Sequence, residues 1–60
     1  GWNNMKISFS DKSYIECKKN NGKILVIIAA KDPNNSLKNI INCVELETEE
    51  FKKLIGDINV

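Results

Sequence analysis

The chain contains no histidine and no arginine, and only two cysteines, one proline and three isolated glycines among its 60 residues. Without histidine, a Ser, Cys or Lys nucleophile lacks its usual neighbouring base. A closed zinc site wants four nitrogen or sulfur ligands, and two cysteines cannot supply them. Without arginine, the side chain best suited to bidentate phosphate and guanine contacts is missing. Separated glycines form no phosphate-cradling loop. The longest apolar run, Ile24 to Ala30, falls far short of the roughly 20 residues a membrane-spanning helix needs. No apolar segment followed by a cleavage site resembles a secretory signal. These absences predict a cytoplasmic protein that is not an enzyme, with no metal, cofactor, small-molecule substrate or membrane attachment.

What charge there is lies close to balance. Nine lysines face eight carboxylates, giving a net charge of +1, so the whole-molecule field attracts neither nucleic acid nor anionic lipid strongly. A chain of this size makes one domain, 1–60, and buries only about 60% of its unfolded surface. Small domains usually add a disulfide, a metal or a partner subunit. Cys17 and Cys43 could pair on paper. Both sit in apolar strand-like runs, however, which favours two small buried thiols in a reducing compartment. A second copy is then the expected staple, which predicts a homodimer or higher oligomer.

The segment from Lys23 to Lys31 is apolar at every position between its two lysines and rich in β-branched residues, which predicts a central strand. Gly1 and its neighbours to Asn4 read as a terminal extension or tag remnant, with Trp2 more a packing residue than a ligand platform. Met5, Ile7 and Phe9 alternate with polar residues as in a half-buried strand, and Asp11-Lys12-Ser13 reads as a turn. Ser13 to Lys19 is a second strand, closed by Asn20-Asn21-Gly22, a strong hairpin signal.

That turn fixes register. With Asn21-Gly22 as a two-residue loop, Asn20 pairs with Lys23, Lys18 with Leu25, Glu16 with Ile27 and Tyr14 with Ala29. One face then carries Ile15, Cys17, Ile24, Val26 and Ile28 as a core. The other carries Tyr14, Glu16, Lys18 and an apolar strip of Leu25, Ile27 and Ala29.

Asp32 to Ser36 is dense in turn formers and predicts a loop. Asn39 to Glu47 is a fourth strand, with Ile40, Val44 and Leu46 on one face and Ile41 and Cys43 on the other. Asn42 interrupts the apolar pattern, and a bulge is expected near it. Thr48 reads as a helix N-cap, with Glu49 and Glu50 placed where the dipole favours them. Phe51, Leu54, Ile55 and Ile58 recur at helical spacing, and Glu49 and Lys53 suit an i,i+4 pair. Gly56 either ends the helix or lets it lie close to the sheet. The carboxylates from Glu45 to Glu50 favour the helix-end reading over a metal or general-base site.

The predicted class is therefore α+β: a four-stranded antiparallel sheet with one C-terminal helix packed on one face. The other face is left without cover. An apolar strip on such a face usually marks a protein interface, which assigns Leu25, Ile27 and Ala29, with Phe51 and Ile55 of the helix, to contact between copies. Lys6, Lys18, Lys23 and Lys31 with Tyr14 form the candidate basic patch, since a sheet can hold single strands with phosphates on lysine and bases stacked on rings. Strand-edge lysines also serve simply to keep sheets soluble and unpaired.

Tyr14-Ile-Glu-Cys-Lys, the Gly22-Lys23 turn into Ile24-Leu-Val-Ile-Ile, the polar loop, and Val44-Glu-Leu-Glu-Thr-Glu-Glu-Phe51 resemble the single-stranded-DNA-binding domain of the positive cofactor four family of transcriptional coactivators. The resemblance spans Tyr14 to Ile58. It implies a four-stranded antiparallel sheet, a C-terminal helix, a dimer made largely by helices and adjoining strand ends, and sheets that bind single strands through basic and aromatic side chains. Lys18 and Lys23 match basic positions of that family. Asn20 stands where an aromatic is expected, Ala29 where a basic residue is expected, and Asp32-Pro33 near a loop aromatic. Two functions remain open: a binding module for single-stranded DNA or RNA, and a protein-interaction module using the same fold.

Overall fold

The computed structural model describes residues 3–56. Its elements run β1 (Asn4–Ser8), β2 (Tyr14–Asn20), β3 (Lys23–Lys31), β4 (Asn39–Glu47) and α1 (Thr48–Gly56). The four strands form one antiparallel sheet in the order β1-β2-β3-β4. Trp2 and Ile58 lie outside the described residues.

Local chemistry explains the connections. Asn21 and Gly22 adopt φ of 52° and 80°, the positive values a two-residue hairpin turn demands. The expected pairing follows, from Asn20 with Lys23 to Tyr14 with Ala29. Between β1 and β2, Lys12 takes φ of 73°, and the Asp11 carboxylate accepts the Ser13 backbone N–H at 2.9 Å and the Ser13 hydroxyl. Between β3 and β4, the Asp32 and Asn35 side chains accept N–H groups of Asn34 and Leu37 at 2.8 and 3.0 Å.

The β3–β4 ladder runs unbroken from Lys23–Glu47 to Lys31–Asn39. The expected bulge at Asn42 is absent. Asn42 sits directly opposite Ile28 and is exposed, and an exposed edge-strand amide reaches water without distorting the ladder.

The start of α1 differs from the expected cap. Glu50 reaches back to accept the Glu47 N–H at 2.9 Å, half of a capping box with Glu47 as the cap. The Thr48 hydroxyl instead donates to the Gly22 carbonyl, tying the helix start to the β2–β3 hairpin. Lys52, not Lys53, meets Glu49, at 3.6 Å. A Cβ at Gly56 would meet nothing within 4 Å, so close packing on the sheet is not what places a glycine there.

Phe51 and Ile55 share a groove of about 460 Å³ with Met5, Ile7, Ile15 and Cys17. They also line a smaller hollow with Lys19 and Ile24. The helix thus lies on the face expected to be the core, but it covers only part of it. Ile24 is enclosed, at 1% exposure, whereas Ile15 and Ile28 are 40% and 47% exposed. Nine helical residues span about 14 Å, whereas a nine-residue strand is about 30 Å long. The helix can cross the width of the sheet but cannot cover its length.

Candidate functional site

Strand alternation and register place the five candidate binding residues on the face away from α1. Lys6 is opposite Glu16, Lys18 opposite Leu25, and Tyr14 opposite Ala29, while Lys23 and Lys31 begin and end β3 on that same side. This grouping was legible in the alternation itself. Its electrostatics were not.

Lys23 Nζ lies 3.6 Å from a carboxylate oxygen of both Glu45 and Glu47, which β4 brings alongside. Lys18 Nζ is 4.0 Å from Glu16. Lys6 Nζ lies over the Tyr14 ring, 4.1 Å from its centroid, a cation–π geometry. Four lysines therefore share the face with three glutamates, and one ring face of the aromatic already carries a cation. Glu16 was already placed on this face by the β2–β3 register; Glu45 and Glu47 are the residues the sequence reading missed. The signal was present in their own spacing, since Glu45 and Glu47 fall on one face of β4 and the antiparallel register sets them beside Leu25 and Lys23.

The apolar strip on this face is also less open than expected. Leu25 and Ile27 are half-buried and Ala29 is 1% exposed. Tyr14, Glu16 and Lys18 flank it on β2 and Glu45 on β4, while Ile41 and Cys43, both exposed, extend the apolar surface onto the edge strand.

The larger open apolar surface is on the helix side. Met5, Ile7, Ile15, Ile28, Ile40 and Val44 are all exposed there, and Ile55 of α1 is exposed beside them. Phe51 is half-buried within the protomer. Cys17 and Cys43 are both free and occupy opposite faces of the sheet, Cys17 half-buried and Cys43 exposed on the edge strand.

Among the described residues, no three His, Cys, Asp or Glu side chains cluster as a metal site would require. Among the same residues, no helix is long and apolar enough to cross a membrane. Comparison with family models, curated proteins and solved structures finds no match.

Proposed function

We propose that the chain is a small, non-enzymatic protein-interaction module whose fold is completed by a second copy packed on the helix-side face. The observation that carries this reading is the open row of Met5, Ile7, Ile15, Ile28 and Val44 on the face that also holds the helix. Ile24 and Ala29 are the only hydrophobic side chains fully enclosed among the described residues.

Sedimentation equilibrium tests it. An oligomer at micromolar concentration that dissociates when Ile28 is replaced by Lys supports the reading. A wild-type monomer, or an Ile28→Lys variant of unchanged mass, overturns it.

A second reading is favoured by the gathering of Lys6, Tyr14, Lys18 and Lys23 on the opposite face, together with the family resemblance of the sequence. There the face holds single-stranded nucleic acid. Fluorescence anisotropy of labelled DNA and RNA oligonucleotides discriminates between the two. Binding whose salt slope flattens by about 0.7 for each phosphate-contacting lysine removed supports the second reading. No binding even at low salt leaves the protein-interaction module alone.

A further inference from the structure

We propose that two copies also join edge to edge through β4, antiparallel and in a register centred on Asn42, making one continuous eight-stranded sheet. The two edges of the sheet differ in kind. β1 is five residues long, with Lys6 at its centre, the sort of short, charged edge that discourages pairing. β4 is nine residues long, holds no Pro and no Lys, runs unbroken without a bulge, and has every side chain exposed except Leu46, which is half-buried. A long, unbroken edge of that kind is a template for another strand.

Backbone parity shows which groups are available. Asp32 donates to the Lys38 carbonyl at 3.2 Å, continuing the β3–β4 ladder. Even-numbered residues of β4 therefore turn their N–H and C=O groups toward β3, because these directions alternate in an antiparallel pair. Ile41, Cys43 and Glu45 turn theirs outward.

The side chains are self-complementary about Asn42. A two-fold axis there sets Ile40 opposite Val44 of the second copy on the helix side, and Ile41 opposite its Cys43 on the other side. Asn42 meets its own counterpart. All four apolar side chains are exposed in the protomer, and pairing covers each with another apolar group. Asn42, which interrupts the apolar pattern without forming a bulge, gains a role as a register pin, because only this alignment matches amide to amide. Centring on Cys43 instead would set Ile41 against Glu45 and Asn42 against Val44.

This edge is distinct from the helix-side face, so the proposal goes beyond the face contact and stands or falls separately. The first test is amide hydrogen exchange on the unmodified protein. Pairing predicts that the outward N–H groups of Ile41, Cys43 and Glu45 exchange about 100-fold or more slowly than those of an open strand. Open-strand rates at all three overturn the proposal. Register is then read by oxidative cross-linking with glutathione. Asn42→Cys, in a Cys17→Ser, Cys43→Ser background, should trap a covalent dimer faster than Cys43 does in Cys17→Ser alone. The reverse order overturns the register. An Ile28→Lys variant of lower mass whose three amides stay protected separates the edge from the face. A variant that loses protection along with mass overturns edge pairing as an independent contact.

Discussion

A methyl group at Gly22 would meet no atom within 4 Å, so the backbone alone sets the cost of adding one. At φ of 80° an L side chain is disfavoured by about 1–2 kcal/mol. Gly22→Ala is therefore expected to lower stability by about that amount in a urea melt, with the slope of the transition unchanged. Asp11 makes a prediction of the opposite kind, about pH rather than sterics. Hydrogen bonds from the Ser13 hydroxyl and the Ser13 N–H hold its carboxyl below the ordinary aspartate value of 3.8. A carboxyl depressed in the folded state adds stability above its unfolded pKa and loses it as pH falls through the folded value. Asp11 is fully exposed, so the contribution is small, and it is lost as pH falls below 3.8. Titration of the Asp11 carboxyl by NMR should show its pKa rising when Ser13 is replaced by Ala.

At the scale of the element, α1 depends on contacts at its start more than on burial along its length. Glu50 holds the Glu47 amide, Thr48 holds the Gly22 carbonyl, and Phe51 reaches the hollow beside Ile24. Phe51 is half-buried, so Phe51→Ala should cost about 2 kcal/mol by urea melt, below the roughly 3–5 of a fully enclosed phenylalanine. A loss at the upper end of that range would mean that the ring is enclosed further by a second copy. The strands and the helix were legible in the sequence because each rests on local signals: the Asn21-Gly22 turn, the alternation of Met5, Ile7 and Phe9, and the acidic first turn before Phe51. The detail of the helix start was less so. Thr48 has the chemistry of a cap, but the chain enters the helix one residue earlier, and the hydroxyl finds the Gly22 carbonyl, 26 residues away in sequence.

At the scale of the whole molecule, the balance between enclosed and exposed apolar surface points to association. Binding that favours the folded state makes the melting temperature depend on concentration. The midpoint of thermal unfolding should therefore rise with protein concentration. That rise should shrink in Ile28→Lys if the helix-side face is a contact, leaving the part that comes from pairing through β4. A midpoint independent of concentration would mean that the protomer is stable alone despite its open face.

The sequence by itself determined the number and order of the strands, the bounds of β3 and β4, the β2–β3 register and the sorting of residues between the two faces. These follow from turn chemistry and from the two-residue period of a strand, which act over a few residues. β1 ends at Ser8 rather than Phe9, and β2 runs Tyr14–Asn20 rather than from Ser13 to Lys19. Tertiary structure alone decided which face stayed open. A helix long enough to cross four strands is too short to cover their length, so Ile15, Ile28 and Val44 are exposed on the supposed core side. On the other face, Ala29 is enclosed and Leu25 and Ile27 are half-buried although no helix covers them, and Glu45 and Glu47 come beside Lys23. Coverage depends on areas and neighbours across strands, which no local pattern along the chain encodes, and charge pairing needs the β3–β4 register to join two local alternations.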